Sequence, residues 1–136
     1  FIWQHDPDFI GNGWIGLFDN NRIRGRVMET GGQILGFQPH TDSTQVLFEP
    51  DHINQFYMEV RGKWQQLKNG NILLTDVPNG RIIEVSSDGK PVWEWIHESY
   101  DSRVPIVTKG ARVDLTREEV ASWPCSSVDS VSMSAQ

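Results

Sequence analysis

Short apolar runs separated by turn dipeptides recur along the second half of the chain. Asn71–Asp76 (Asn-Ile-Leu-Leu-Thr-Asp), Arg81–Val85 (Arg-Ile-Ile-Glu-Val) and Pro91–Ile96 (Pro-Val-Trp-Glu-Trp-Ile) are rich in branched and aromatic residues, and each reads as a strand. Asn69-Gly70, Asn79-Gly80 and Asp88-Gly89 punctuate them about every ten residues. Such dipeptides take the positive φ angles that two-residue hairpin loops require. With Gly62–Leu67 as a fourth strand, the spacing predicts a four-stranded antiparallel meander. In residues 72–74 and 92–96 the apolar positions do not alternate with polar ones, which predicts that both sheet faces meet other protein. Trp93 and Trp95 share one face of the last strand and are expected to be buried between sheets.

The same unit occurs earlier. Ile10-Gly11-Asn12-Gly13-Trp14-Ile15-Gly16-Leu17-Phe18-Asp19 overlays Leu67–Asp76 at an offset of 57 residues, with Asn-Gly, Ile, Leu and Asp coinciding. Beyond an insertion around residues 20–24, Gly25–Glu29 overlays Gly80–Glu84, and Gly31-Gly32 takes the place of Asp88-Gly89. On this alignment Arg26 and Arg81 are equivalent, each with a glutamate three residues on, which points to a structural role for both. Repeats of four short strands with a glycine turn between each pair mark propeller blades, whose radial stacking buries both faces of every sheet. A β-sandwich is the alternative.

The fold class expected is therefore all-β: a β-propeller fragment of two to three four-stranded antiparallel blades with a short C-terminal helix. Residues 1–115 hold the blades, with repeat 1 at about 3–49, repeat 2 at about 60–97 and a partial third at 103–115. Thr116-Arg117-Glu118-Glu119 has capping-box spacing, so a helix is expected over 116–124, stopped by Pro124. The Ser-rich residues 125–136 read as a flexible tail. Propellers need roughly four to eight blades, so this chain cannot close a ring alone. Because it begins at Phe1, the expectation is that upstream blades, of the same or another chain, complete the ring. The isolated chain is then expected to oligomerise or aggregate through its open faces.

A length of 136 residues suits a single core, and 38% apolar residues place the chain among globular sequences. The net charge of -6 supplies no cation excess to displace counterions, which argues against nucleic acid as a partner. No apolar run reaches the ~18 residues of a membrane span. Cys125 is the only cysteine, which excludes an internal disulfide and a multi-cysteine metal site. The four histidines have neither His-x-His nor His-Glu-x-x-His spacing, so no metal site and no cofactor can be read from them.

Several segments together carry a resemblance. They are Trp3-Gln4-His5-Asp6-Pro7-Asp8-Phe9 with Leu17-Phe18-Asp19-Asn20, Gly62–Leu73 with its Gln-x-Leu-x-Asn-Gly-Asn core, Gly80–Val85, and Asp88-Gly89-Lys90-Pro91-Val92-Trp93-Glu94-Trp95. Over roughly residues 3–113 the chain resembles the last blades of arylsulfotransferase-like β-propeller proteins. The resemblance implies a six-bladed propeller, often exported to the periplasm or secreted. In such a propeller a channel histidine takes a sulfuryl group from an aryl sulfate and passes it to a phenol, without a nucleotide donor. Gly16 and Gly36 depart from the larger residues expected in a packed blade strand.

Transfer of this kind needs an uncharged imidazole as nucleophile and cations to hold sulfate oxygens. Among the four histidines, His5 is the catalytic candidate: it precedes the first repeated strand, next to Asp6, which could fix its tautomer. The other reading is that His5 and Asp6 close the entry turn of the blade through backbone hydrogen bonds. By the repeat offset His5 aligns with Gly62, flanked by Arg61 and Lys63, so Arg61 is the anion-binding candidate, or else a salt-bridge partner of Glu59. Gln65 on the following strand and Asp6 are the further substrate-binding candidates, and the alternative for Gln65 is to satisfy neighbouring backbone. His40 and His52 read as loop residues and His97 as a rim residue. A small anionic aryl molecule is the implied ligand. The rival reading is a non-catalytic propeller that serves as a binding or scaffold module in a larger assembly.

Overall fold

The computed structural model describes residues 4–20, 22–23, 26–27, 32–50 and 62–124. Two four-stranded antiparallel sheets account for most of them. The first contains β1 (His5–Gly11), β2 (Trp14–Asp19), β5 (Gln33–Gln38) and β6 (Ser43–Phe48), in that spatial order. A two-stranded hairpin, β3 (Arg22–Ile23) and β4 (Arg26–Val27), is inserted between β2 and β5. The second sheet is the meander β7 (Trp64–Gln66), β8 (Ile72–Asp76), β9 (Arg81–Val85) and β10 (Pro91–Ile96). A single short helix, α1 (Arg117–Ala121), follows. This is the all-β propeller fragment with an unclosed ring.

The second meander lies where its branched runs predict, but its loops are longer than two residues. At Leu67–Asn71 and Ser86–Lys90, three residues span the turn, the glycine taking a φ of +85° at Gly70 and +82° at Gly89. A three-residue loop closes with a left-handed glycine that restores strand twist after a type I turn. The two-residue version occurs instead at Asn12-Gly13, between the paired Gly11 and Trp14. Thr116 caps α1 as its spacing predicts: the Thr116 hydroxyl accepts from the Glu119 N–H and the Glu119 carboxylate from the Thr116 N–H.

The two sheets share one strand order, but the second half of the sequence overlay is out of register with their pairing. Asp19 pairs with Gln33 as Asp76 pairs with Arg81, so the partner of Arg81 is Gln33 and not Arg26. The side chains repeat the relation, since Gln33 donates to Asp19 (3.2 Å) and Arg81 donates to Asp76 (2.6 Å). The Gly25–Glu29 overlay fails because β3 and β4 form an added hairpin, and strand pairing resumes only after it.

One core joins the sheets. Phe18, Ile34 and Phe48 of the first meet Trp64, Ile72, Leu74, Ile83 and Val85 of the second. Gly16 makes this approach close: a Cβ there would overlap the six-membered ring of Trp64, nearer than the 3.0 Å that real Cβ atoms respect. The glycine thus meets a packing demand and is no defect of the strand. β8 is buried along its whole length, its apolar Ile72–Leu74 run on both faces as predicted and the polar Thr75 and Asp76 with it. β10 is exposed along its whole length. Trp93 and Trp95 retain 50% and 41% exposure in this chain alone, where β10 is the outermost strand of the second sheet and no further blade is present to cover it. Residues 104–116 form no strand and run across the second sheet, where the Gly110 N–H donates to Thr75 Oγ1 (2.9 Å).

Candidate functional site

The segment that begins β1 departs from regular strand. The pairing steps from His5↔Phe18 to Asp8↔Gly16, leaving one residue too many on β1, and Asp6 adopts a φ of +52°. Aspartate tolerates this left-handed conformation better than most side chains, and bulges re-aim the residues they contain. Here the bulge turns both oxygen-bearing groups of Asp6 toward the second sheet. Its carboxylate Oδ2 accepts from the Trp64 backbone N–H (2.9 Å), and its carbonyl accepts from the indole Nε1–H (2.8 Å). Lys63 Nζ stands 3.8 Å from Asp6 and 3.9 Å from Asp8. His5, half-buried at the same bulge, lies against Phe18 with ring centroids 5.1 Å apart.

His5, Asp6 and Lys63 are therefore gathered at one seam between the sheets. Gln65 is not part of that cluster. It lies on the other face of β7, and its side chain spans the backbone of Arg112, donating to the carbonyl (2.9 Å) and accepting from the N–H (2.8 Å). Arg61 and His52 lie outside the described residues, as do Glu59 and Cys125. His40 is exposed in a turn, and the imidazole of His97 packs between Trp95 and Tyr100, with ring centroids 5.5 Å from each. Among the described residues, no group of three or more His, Cys, Asp or Glu is arranged to hold a metal ion. None of the described helices is long and apolar enough to cross a membrane.

Residues 1–98, spanning both sheets, match the arylsulfotransferase (ASST) family. The chain belongs to that family. No curated protein and no solved structure matches it. In this arylsulfotransferase-family chain, the His5-Asp6 dipeptide that the resemblance singles out coincides with the bulge and its left-handed aspartate. Backbone strain of this sort persists only where surrounding contacts over-determine it, and it concentrates at functional sites. The sequence gives no sign of the bulge, which exists because Trp64, 58 positions on, supplies two donors.

A second polar network lies on the far face of the second sheet. Glu84 is buried, yet both of its carboxylate oxygens are occupied: Oε1 accepts from Asn71 (2.6 Å) and Asn69 (3.1 Å), and Oε2 from Arg112 (2.9 Å). The Asn71 and Asn69 amides, with a smaller contribution from the Arg112 charge, hold its pKa below the ordinary glutamate value of 4.5. Folding thus favours the charged form. The stabilisation is complete above that ordinary value and is lost as pH falls through the lowered native one. Denaturant unfolding from about pH 6 to pH 3 should show Glu84→Gln losing less stability on acidification than the parent chain. Equal pH slopes would contradict the assignment.

Proposed function

We propose that the two sheets are successive blades of a propeller that moves a sulfuryl group from an aryl sulfate to a phenol, with His5 as the residue that carries it. Family membership over residues 1–98 is the observation that carries the reading. The unprotonated imidazole nitrogen attacks sulfur, and the S–O bond to the aryl oxygen breaks, its electron pair leaving as phenolate. An acceptor phenol then attacks the same sulfur. The S–N bond breaks with its electrons returning to the ring, and the acceptor proton passes to the departing phenolate or to water. Arg61 is proposed to hold the sulfate oxygens, with Lys63, beside Asp6, as a further cation at this end of the seam. Asp6 sets the bulge from which His5 projects, and is proposed to act on the substrate through that placement.

Both Asp6 and Gln65 spend their side chains on backbone groups of this protein, which favours a second reading as a non-catalytic binding or scaffold module. One assay separates the two. With 4-nitrophenyl sulfate as donor and a phenol as acceptor, release of 4-nitrophenolate by the assembled protein is expected to fall by at least about a hundredfold in His5→Ala, the scale of a lost nucleophile or general base. Activity unchanged by His5→Ala removes His5 from the chemistry. No activity in the assembled parent protein supports the scaffold reading.

A further inference from the structure

Asn-Gly dipeptides occur at Asn12-Gly13, Asn69-Gly70 and Asn79-Gly80, and the pair carries a latent reaction of its own. The glycine nitrogen can attack the side-chain amide of the asparagine before it, since no Cβ on glycine obstructs the approach. Hydrogen bonding decides which of the three is free to react. The Asn69 side chain is engaged at both ends: its amide donates to Glu84 (3.1 Å) and its oxygen accepts from the Asn71 N–H (3.1 Å). The Asn79 amide donates to both oxygens of Asp76 (3.1 and 2.9 Å). In each case the nucleophile is occupied too, because the Gly70 N–H donates to Leu67 (3.0 Å) and the Gly80 N–H to Val77 (3.2 Å). Asn12-Gly13 differs on both counts. Among the described residues, neither the Asn12 side chain nor the Gly13 N–H has a hydrogen-bond partner, and both residues are exposed.

The turn also lies near the geometry of the product. Asn12 and Gly13 both take positive φ, +51° and +77°, which makes this two-residue loop a type I′ turn. Closing a five-membered imide ring requires Cβ of Asn12 and N of Gly13 to lie on the same side of the Cα–C bond. That arrangement is the first central position of a type II′ turn, with φ about +60° and ψ about −120°. Type II′ is the other loop that strand twist accepts, so β1 and β2 keep their pairing while the Asn12–Gly13 peptide plane turns over. A side-chain contact opposes this rotation. Gln38 Nε2 donates to the Asn12 carbonyl (3.2 Å), and Gln38 is itself oriented by Thr41, whose hydroxyl donates to its oxygen (2.7 Å). Neighbouring blades of a propeller cover sheet faces, whereas this turn projects from the strand ends, so its exposure does not depend on how the ring is completed.

We propose that Asn12 is a self-modification site, converted by Gly13 to a cyclic imide and then to aspartate and isoaspartate, with Gln38 as the latch that slows the conversion. Water takes the Gly13 amide proton and the nitrogen bonds to Asn12 Cγ. The Cγ–Nδ2 bond then breaks, its electron pair leaving with a proton as ammonia. A second water opens the imide at either carbonyl. Opening at Cγ gives aspartate. Opening at the main-chain carbonyl gives isoaspartate, which routes the backbone through the former side chain and adds a carbon to the turn between β1 and β2. Either product places a new negative charge there. The reaction uses only this chain and water, and it stands apart from the sulfuryl transfer proposed above.

Peptide mapping by mass spectrometry, on the full chain aged in neutral buffer made with heavy-oxygen water, tests the site. The three dipeptides of one molecule serve as mutual controls. Asn12 is expected to exchange its amide for labelled oxygen at least about tenfold faster than Asn69 and Asn79, the scale of the two or more hydrogen bonds that each of those must give up. In concentrated urea, where no turn is held, the three should react alike. Gln38→Ala, which removes the latch from an exposed contact, should speed Asn12 by about two- to tenfold. The comparison of folded and unfolded chain uses the parent protein and so does not depend on any variant folding. Equal rates at the three sites of the folded chain, a preference for Asn12 that survives in urea, or an Asn12 rate unchanged in Gln38→Ala would each overturn the proposal.

Discussion

Trp64→Ala is expected to destabilise the chain by about 3 to 5 kcal/mol, the upper range for truncating a buried aromatic side chain. The ring is 1% exposed and sits in the one core shared by both sheets, so its loss opens a cavity at the place where they meet. Truncation also strips the indole donor from the Asp6 carbonyl, which is then left at the bulge without that partner. Urea unfolding followed by far-ultraviolet circular dichroism measures the effect as a lower midpoint at unchanged slope. A loss below about 1 kcal/mol would mean that the sheets do not depend on this contact. The same variant bears on function, because the left-handed conformation of Asp6 is sustained by the two donors of Trp64. If the proposed transfer uses a His5 placed by that bulge, it should fall in Trp64→Phe, which keeps most of the buried surface and removes the indole N–H.

The parts legible in the sequence are those governed by neighbours a few residues apart. Ile-Leu-Leu and Arg-Ile-Ile-Glu-Val announced β8 and β9 because branched residues between glycine turns have few alternatives to strand. Thr116 and Glu119 marked their helix for the same local reason. What stayed hidden depends on partners far along the chain. Overlaying Arg26 on Arg81 followed letter identity, whereas pairing follows hydrogen bonds: an extra hairpin shifts the equivalent position to Gln33, whose amide makes the contact that the arginine makes in the second sheet. The burial expected of Trp93 and Trp95 requires a covering blade, and in this chain alone β10 is outermost. Of the site candidates, His5 and Asp6 stand in a segment that carries the resemblance, while the placement of Asp6 by Trp64 has no local signal. Arg112 and Glu84 had none either, since they sit 28 positions apart and meet only when residues 104–116 cross the sheet.

Gly16 offers the clearest separation between a glycine kept for its backbone and one kept for its missing side chain. It is buried in β2 opposite Gly36, in ordinary strand pairing, so conformational freedom is not what the position requires. Alanine, a β-carbon larger, would drive into the Trp64 ring, a rigid neighbour that cannot swing aside as a flexible side chain would. Gly16→Ala is therefore expected to cost about 1 to 3 kcal/mol, the usual penalty of overpacking, even though alanine replacing glycine ordinarily stabilises by restricting the unfolded chain. The cause is a single contact, so the two positions must be coupled. In a Trp64→Leu background, where the far end of the ring is absent, the same substitution should lose at least about 0.5 kcal/mol of its penalty, the lower bound for residues in direct contact. An identical penalty in both backgrounds would place the steric demand elsewhere, with Ile10 the next nearest side chain to the added carbon. A coupled result would show that Gly16 and Trp64 were fitted to one another, and that the close approach of the two blades is written in a residue that contributes no atoms to it.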